Sequence, residues 1–366
     1  MGELEVQKFL RNGNTVEDLN TLYGIKSCYN DEKSLVILNY DQIESRKDVQ
    51  IARECRSLTL ELNSYNIVGR GFSRFFNWGE MAEEMPLFDW SSCWAHDKED
   101  GSIGILFNYK GKWLYNTRGS FGEGEVGFSG KSWQQIFFEI VPLETIEKVC
   151  YPKFSYVFEL CTIHNKVVRT YSTPQAFLLA EFGNRNGCEV RSEVVDQDAK
   201  DLGCSRPRQH YFKSIDEVIK FLDETGKNDA TYEGVVLCDI NNRRWKVKNP
   251  LYLSLHKLRG EGDNLFNPKY LLPFVLAGEE AELLIYFPEV KDAFYEMKTR
   301  VNKEYDTMVE LWEETQNIEL QKTFAQSIVP QTKFSSILFR VRRGEGSLRD
   351  IWLKSSDLIL KTLYNK

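Results

Sequence analysis

The 366-residue sequence predicts an α+β protein with a strand-rich N-terminal region followed by an all-helical C-terminal region. In the first region, short apolar segments alternate with polar residues between turns, which is typical of mainly antiparallel sheets flanked by helices. From about residue 260, strand signals nearly vanish and apolar residues recur at helical spacing. We therefore expect domains at residues 1–258 and 259–366, with the boundary within residues 258–267.

The first elements expected are helical structure within residues 1–30 and strands at 34–40, 53–62 and 67–76, the last two joined by the turn-forming run Asn63-Ser64-Tyr65-Asn66. A second hairpin pairs residues 103–108 with 112–117. The remaining strands are expected at 156–160, 166–171, 176–182, 234–239 and 244–248. Helices are expected at 132–150, between Ser214 and Gly226, through the apolar stripe from Phe294 to Leu311, and at 348–363.

Composition limits the class of protein. With 42% hydrophobic and 13% aromatic residues the chain should fold, and it has neither a long apolar run nor a signal-like N-terminus. We expect a cytoplasmic protein, in the host cytoplasm if viral, with no membrane association and no obligate protein partner. The eight cysteines form no C-x-x-C pair, which favours reduced thiols. A net charge of −7 requires that any polyanion bind a local basic patch.

The candidate nucleophile is Lys98, which opens the run Lys98-Glu99-Asp100-Gly101-Ser102 ahead of an apolar strand. A lysine ordinarily titrates near ~10.4, so nucleophilic use at neutral pH requires burial or neighbouring cations. The same run is also compatible with an ordinary hairpin turn beside a solvated lysine, because Asp-Gly suits positive φ. Other polar clusters must therefore converge on Lys98 if it is to be catalytic.

A pair of lysines on one predicted strand could supply these cations. Lys246 and Lys248 point to the same strand face at about 6.6 Å spacing, so they could straddle one phosphate and disfavour protonation of a nearby Lys98. The alternative is a solvated edge strand whose lysines discourage aggregation.

Isolated charged residues on otherwise apolar strands provide further candidates. Glu159 and Glu233 are lone carboxylates, and a buried carboxylate is costly unless it is paired, binds a metal or binds a ligand hydroxyl. Arg56, Arg74 and Arg118 lie at strand ends or turns, where a guanidinium could reach phosphate or ribose oxygens. The alternatives are solvent-facing carboxylates and surface ion pairs.

Taken in order, these segments resemble the motif set of the covalent nucleotidyltransferases, which comprise RNA and DNA ligases and mRNA capping enzymes. The segments are Glu54-Cys55-Arg56-Ser57, Lys98 to Ser102, Phe158-Glu159, residues 177–182, Glu233-Gly234-Val235-Val236 and Trp245-Lys246-Val247-Lys248. The narrower resemblance is to the ATP-dependent RNA ligases of the T-even phage tRNA-repair type, through Phe75-Phe76-Asn77 and Leu253-Ser254-Leu255-His256. Ser57 departs from the pattern, which has glycine there.

The resemblance implies an adenylyltransferase domain that joins 5′-phosphate and 3′-hydroxyl RNA ends, in RNA or tRNA repair, through lysyl-AMP and RNA-adenylate intermediates. It implies ATP as the nucleotide, AMP carried covalently on Lys98, and Mg²⁺ or Mn²⁺ at Glu159 and Glu233. Lys246 and Lys248 would neutralise the α-phosphate. The other nucleotide-binding residues implied are Arg56, Arg74, Glu99, Asp100, Gly101, Arg118, Leu179 and Val235.

Two other functions stay open from the sequence. One is another nucleotidyl transfer, such as DNA joining or capping, although the helical signals after residue 260 do not match the OB-fold barrel of those enzymes. The other is a nucleotide- or RNA-binding module without turnover. We expect residues 259–366 to set RNA-substrate specificity, with the basic run Phe339 to Gly344 contacting RNA, or alternatively forming a salt-paired helix end.

Overall fold

The computed structural model describes residues 3–30, 32, 34–42, 44–127, 129–166, 168–185, 187–250, 252, 267–284 and 288–364. The chain divides into two compact units, residues 1–256 and 257–366. In the described part, strands occur in the first unit and the second is helical, so the α+β class with mainly antiparallel sheets is confirmed. The run Leu253 to His256 and residues 258–266 of the expected boundary lie outside the described residues.

The first sheet is antiparallel and has the strand order β1-β2-β3-β4. Its strands are β1 Ile25–Tyr29, β2 Leu35–Tyr40, β3 Leu58–Glu61 and β4 Ile67–Gly69. The accompanying helices are α1 Glu5–Arg11, α2 Val16–Tyr23 and α3 Gln50–Glu54. Apolar residues of helices and strands, among them Leu19, Leu38 and Leu58, share one buried core.

A second antiparallel sheet is built from the hairpin that follows the Lys98 segment and from two later strands, in the order β10-β9-β7-β8. These are β7 Ser102–Tyr109, β8 Lys112–Thr117, β9 Phe154–Cys161 and β10 Gln175–Gly183. Helices α4 Trp133–Ile140, α5 Leu143–Val149 and α6 Ser192–Asp201 contribute to its core. There the ring of Tyr115 stacks on Phe137 with centroids 4.1 Å apart.

The third sheet has the order β11-β6-β12-β13-β5 and is antiparallel except where β13 meets β5. Its strands are β5 Phe76–Asn77, β6 Trp94–Asp97, β11 Gln209–His210, β12 Gly234–Cys238 and β13 Arg244–Lys248. Helix α7 Ile215–Asn228 packs Val218 and Leu222 into the same core as Val235 and Val247. Ser214 caps this helix by accepting a hydrogen bond from the Glu217 N–H.

The expected strand at residues 166–171 is wrong. The described residues there form bends and irregular structure, and the N–H groups of Val168 and Arg169 donate to the Asp100 carboxylate at 2.8 and 2.6 Å. Because a side chain satisfies these donors, the segment has no need of a sheet partner.

Three expected elements are divided or shifted. The helix at 132–150 breaks before Pro142, which lacks the N–H that a continuous helix requires. The strand at 67–76 ends at Gly69 and resumes at Phe76 in a different sheet, because Gly69 and Gly71 pack against side chains of β7. Residues 53–62 begin in α3, so only Leu58–Glu61 is a strand.

The helical unit contains α8 Pro268–Ala277, α9 Glu280–Leu284, α10 Lys291–Thr315, α11 Gln321–Ile328, α12 Ser335–Arg342, α13 Leu348–Leu353 and α14 Ser356–Tyr364. The expected stripe along α10 is buried or half-buried in the unit's core. The expected helix at 348–363 is two helices, separated at Ser355, whose hydroxyl donates to the Ile351 carbonyl. Among the described residues, no helix has both the length and the apolar character needed to cross a membrane.

The basic run at the end of α12 is tied down by hydrogen bonds and ion pairs. Arg340 and Arg343 contact the Glu345 carboxylate at 2.8 and 2.6 Å, and Arg342 donates to the Glu319 carbonyl at 2.7 Å. This geometry matches the salt-paired helix end that the sequence left open.

Ser57 occupies the backbone conformation that glycine would favour. Its φ is +57°, in the left-handed region that costs an L-residue roughly 1 kcal/mol. The buried Ser57 hydroxyl donates to the Arg118 carbonyl at 2.9 Å, so a hydrogen bond offsets part of this strain.

We predict opposite outcomes for two substitutions at Ser57. Ser57→Ala keeps the strained φ and loses the hydrogen bond, so the free energy of unfolding should fall by about 1 kcal/mol. Ser57→Gly loses the same bond but relieves the strain, so its stability should stay close to wild type. Urea denaturation of the three proteins measures this difference, and equal stability of the two variants would contradict it.

Candidate functional site

A cavity of about 580 Å³ receives side chains from both the second and the third sheet. Ile103, Glu159 and Leu179 reach it from the second sheet, and Val236 and Lys246 reach it from the third. Its lining includes six of the residues selected from the sequence: Arg56, Lys98, Glu99, Glu159, Leu179 and Lys246.

Lys98 lies in the connection from β6 of the third sheet to β7 of the second. Because the two strands belong to different sheets, the segment is not the hairpin turn that the sequence also allowed. The Lys98 N–H donates to the Gly234 carbonyl at 2.8 Å, and its Nζ lies 2.7 Å from Glu233 Oε1. Lys248 Nζ is 3.7 Å from the same oxygen, so one buried carboxylate holds both ammonium groups.

Asp100 and Gly101 position this connection without lining the cavity. The buried Asp100 carboxylate accepts hydrogen bonds from the N–H groups of Val168 and Arg169 and from the Tyr252 hydroxyl at 2.9 Å. A Cβ on Gly101 would lie 2.5 Å from the Leu160 carbonyl oxygen, which only glycine avoids.

Arg56 and Glu159 carry opposite charges into the cavity. The Arg56 guanidinium lies 4.7 Å from the centroid of the Phe75 ring, and its Nε and Nη1 have no hydrogen-bond partner within the described part of the chain. Burial lowers the pKa of Arg56. Burial raises the pKa of Glu159 to about 7, with Lys98 opposing the rise and Glu233 adding to it. A bound anion would supply the acceptors that Arg56 lacks.

The β12–β13 hairpin presents alternate residues to the cavity. Val236 pairs with Lys246, and both line it, whereas Val235 pairs with Val247 and packs in the core behind the sheet. The cavity-facing position expected of Val235 therefore belongs to Val236, because successive strand residues face opposite sides. Lys246 Nζ lies 5.5 Å from the Phe75 ring centroid.

Leu179 reaches the cavity through an irregularity in β10. The register between β10 and β9 shifts between Leu178 and Ala180, which leaves Leu179 as the extra residue of a bulge. Arg206 Nη1 donates to the carbonyls of Leu178 and Leu179 at 2.5 and 2.8 Å. Arg206 thus holds the bulge, a role that no local pattern in the sequence indicates.

Arg74 and Arg118 lie outside this cavity. Arg74 donates to the carbonyls of Ser45 and Gln42 at 3.0 and 3.2 Å. Arg118 Nε donates to Asn39 Oδ1 at 3.2 Å. Both guanidiniums stack on the ring of Tyr40, at 4.1 and 4.5 Å from its centroid. In this arrangement both arginines fasten loops to the first sheet.

Two polar residues immediately precede the nucleophile candidate, and the closeness of His96 to Lys98 in the sequence already marks it for attention. Burial, together with Arg206 and Arg244, lowers the pKa of His96 to about 4, so this cavity residue is neutral at pH 7. Asp97 Oδ1 accepts a hydrogen bond from the Tyr232 hydroxyl and lies 2.6 Å from His210 Nε2. Asp97 was not selected from the sequence, although its position directly before Lys98 could have identified it.

A model of the RNA ligase family matches residues 54–252, which is more than half of the chain. The chain belongs to the RNA ligase family. The matched range contains every residue that the sequence selected for the site.

Two viral relatives agree with this assignment. A protein of Autographa californica nuclear polyhedrosis virus named as a bifunctional polynucleotide kinase/RNA ligase is 28% identical over 306 residues. The match covers 79% of this chain but only 42% of that relative's length. An RNA ligase of Rhodothermus phage RM378 is 22% identical over 325 residues, with 69% and 72% of the two chains covered. Among solved structures, an archaeal ATP-dependent RNA ligase has 13% identity and a TM-score of 0.49, with 83% of each chain covered.

The described part of the chain contains no closed metal site built from its own side chains. Among its described residues, no group of three or more His, Cys, Asp and Glu side chains is placed to hold a metal. Mg²⁺ is commonly bound by one or two carboxylates together with substrate phosphates, so Glu159 and Glu233 suit a metal that arrives with a phosphate ligand.

A second acidic pair, Glu181 on β10 and Asp198 on α6, lies away from the cavity lining. The Glu181 side chain is buried beside the Asp198 carboxyl group. Burial, reinforced by Asp198, raises the pKa of Glu181 to about 8. Glu181 is therefore protonated in the folded protein at neutral pH, while it would be ionised in the unfolded chain.

We predict that Glu181→Gln changes the pH dependence of stability. Between about pH 4.5 and pH 8 the folded state binds more protons than the unfolded state, so wild-type stability falls as pH rises through this window. Glutamine keeps a hydrogen-bond donor for Asp198 but does not titrate, so the variant should gain on the order of 2 kcal/mol relative to wild type across the window.

Chemical denaturation at several pH values measures this gain, and the exposed Glu147→Gln on α5 is the matched control. A constant difference between Glu181→Gln and wild type at all pH values would show that Glu181 is ionised in the folded protein.

Proposed function

We propose that this protein is an ATP-dependent RNA ligase that joins 5′-phosphate and 3′-hydroxyl RNA ends through a lysyl-AMP intermediate. The observation that carries the proposal is the convergence of Lys98 with Arg56 and Lys246 in one cavity, while Glu233 holds the Lys98 amine at 2.7 Å. A primary amine surrounded by phosphate-binding cations is suited to attack a phosphorus atom.

In the first step, Lys98 Nζ attacks the α-phosphorus of ATP. A P–N bond forms, the P–O bond to the β-phosphate breaks, and pyrophosphate leaves. Glu233 Oε1 is within hydrogen-bond reach of the proton that the amine must lose. Arg56 and Lys246 neutralise the charge that develops on the phosphate oxygens, and positioning with electrostatic stabilisation is most of what such a transfer needs.

The second and third steps transfer the activated phosphate to RNA. An oxygen of the RNA 5′-phosphate attacks the phosphorus on Lys98, so the P–N bond breaks and the amine is regenerated as an RNA-adenylate forms. The 3′-hydroxyl then attacks the RNA 5′-phosphorus, which forms the phosphodiester bond and releases AMP. Lys98 takes no covalent part in this last step.

Glu159 and Glu233 are the side chains that would hold Mg²⁺ or Mn²⁺ together with substrate phosphates. A divalent cation bound there supplies charge neutralisation for the triphosphate. Glu159 supports this assignment because burial raises its pKa to about 7, and a cation would favour its ionised form.

The remaining candidate residues would contact the nucleotide or position those that do. Glu99 and Leu179 line the nucleotide cavity and would contact the nucleotide, and Val236 takes the place first given to Val235. Asp100 and Gly101 would set the position of Lys98. Arg74 and Arg118 would reach a nucleotide only after leaving their present carbonyl and amide partners. Lys248 would act through its ion pair with Glu233.

The broader biological assignments are parts of the same proposal. RNA ends, of tRNA in a repair reaction, would be the substrate, and residues 259–366 would contribute RNA specificity. DNA joining, GTP-dependent capping and nucleotide binding without turnover are the competing functions.

The covalent step predicts label transfer from ATP to Lys98. After incubation with α-labelled ATP and Mg²⁺, wild-type protein should retain label on a denaturing gel. Lys98→Ala should lose it at least about a hundredfold, because the variant lacks the cavity-lining amine that Glu233 holds at 2.7 Å. The exposed Lys220→Ala is the matched control and should label like wild type. Absence of label in the wild type would refute the first step, and labelling from GTP in preference to ATP would favour a capping-type enzyme.

The third step predicts that Lys98→Ala retains one activity. Supplied with RNA that already carries a 5′-adenylate, the variant should join it to a 3′-hydroxyl end without ATP, at a rate within about tenfold of wild type, because Lys98 then makes no bond. Product formation on a sequencing gel measures the rate. Failure of Lys98→Ala where wild type succeeds would assign Lys98 a further role in sealing.

A further inference from the structure

A second cavity of about 490 Å³ lies beside the first in the N-terminal unit. The two share Phe72, Phe75, Glu189, Asn242 and Arg244 as a common wall. None of Lys98, Glu159 and Lys246 lines the second cavity, so it adjoins the proposed adenylylation chemistry without containing it.

Positive charge dominates this second cavity. Five guanidiniums line it against two carboxylates, Glu84 and Glu189. The guanidiniums belong to Arg53, Arg70, Arg74, Arg243 and Arg244. This local excess contrasts with the net charge of −7 for the whole chain and is the kind of basic patch that a polyanion would require.

Four of these five arginines have protein partners. Arg53 pairs with Glu84 at 2.5 Å, Arg244 with Glu189, and Arg243 with Asp239 at 3.2 Å, while Arg74 donates to two carbonyls. The Arg70 guanidinium has no hydrogen bond or ion pair with any described residue, although it stacks 5.8 Å from the Phe182 ring centroid.

Arg70 is buried as well as unpartnered. The residue is only 7% exposed, and burial lowers the pKa of its guanidinium. A largely buried guanidinium without a protein acceptor must rely on solvent or on a ligand for its hydrogen bonds. Gly187, at φ +62°, packs directly against Arg70 Nη1, where any Cβ would collide with it. The guanidinium is therefore confined by the cavity wall.

A second buried donor lines the same cavity. Trp245 is 3% exposed, and its indole Nε1 has no hydrogen-bond acceptor among the residues described. The Arg70 guanidinium and the Trp245 indole N–H would both be satisfied by a ligand with several acceptor oxygens, such as a phosphate. Aromatic rings of Phe72, Phe75 and Phe182 complete the wall, and such rings suit the bases of a polynucleotide.

We propose that this arginine-lined cavity binds a phosphate group of the RNA substrate, with Arg70 as its principal ligand and Trp245 as a second donor. The proposal rests on the proposed RNA-joining function, since it places a phosphate of the RNA end next to the cavity where Lys98 would carry AMP. The aromatic wall and the absence of Lys98 from the lining favour an RNA phosphate over the nucleotide's own triphosphate.

Arg70→Met tests the proposal because it removes the charge while keeping much of the side-chain volume. Binding of a fluorescent 5′-phosphorylated oligoribonucleotide to the full chain, without ATP, should weaken about tenfold or more. The slope of log affinity against log salt should become shallower by about one phosphate contact. Labelling of the variant by α-labelled ATP should stay within about twofold of wild type, which separates this site from the adenylylation chemistry.

Two further variants make the result specific. Arg208→Met removes an exposed arginine that lines neither cavity, and it should bind RNA like wild type. Gly187→Ala keeps the charge but displaces the Arg70 guanidinium, so it should weaken RNA binding as Arg70→Met does. Thermal unfolding shows whether each variant is folded.

The outcomes separate the two proposals. RNA affinity and salt slope of folded Arg70→Met equal to wild type would overturn the RNA-phosphate site. Loss of ATP labelling with unchanged RNA affinity would also overturn it and would assign the cavity to the nucleotide's phosphates. If wild type binds RNA through Arg70 but takes no label from ATP, the joining mechanism fails while the phosphate site stands.

Discussion

The ion pair between Lys98 and Glu233 joins the two sheets that form the candidate site. Lys98 lies in the connection from β6 to β7, and Glu233 directly precedes β12 of the third sheet. A buried carboxylate at this point is tolerated because two ammonium groups, those of Lys98 and Lys248, contact it. The rest of the site depends on this contact, because it fixes the reactive amine where both sheets contribute side chains.

Buried hydrogen bonds hold the connection between β6 and β7 in place. Asp100 accepts from two backbone N–H groups and one tyrosine hydroxyl, and Gly101 admits the close approach of β9. These partners lie far along the chain from Asp100, so their hydrogen bonds tie the loop at residues 168–171 to the connection between β6 and β7. The pattern gives Asp100 and Gly101 a physical role that requires no contact with a nucleotide.

Unsatisfied polar groups lie beside this well-satisfied framework. Arg56 in the first cavity and Trp245 in the second have buried donor atoms that lack acceptors among the described residues. The Arg70 guanidinium in the second cavity also has no hydrogen-bond partner in the described part of the chain. Ser57, next to Arg56, holds a backbone conformation that glycine would adopt more easily. Each of these features costs folding free energy. Their concentration around two adjoining cavities is the pattern expected of an anion-binding site.

The sequence by itself determined the features that depend on local pattern. Period-two alternation of Leu58 and Leu60 predicted β3, helical spacing predicted the buried stripe of α10, and the order of short motifs predicted the family. Tertiary structure decided the features that depend on contacts between distant residues. The Asp100 carboxylate accepts a hydrogen bond from the N–H of Val168, 68 residues later, in a segment that was expected to be a strand. A bulge held by Arg206 places Leu179 in the cavity lining. Local spacing carries no information about such contacts. The sequence could therefore select Arg56 as a candidate, but only the packing left it with buried, unsatisfied donors and placed Arg70 in a cavity without a described acceptor.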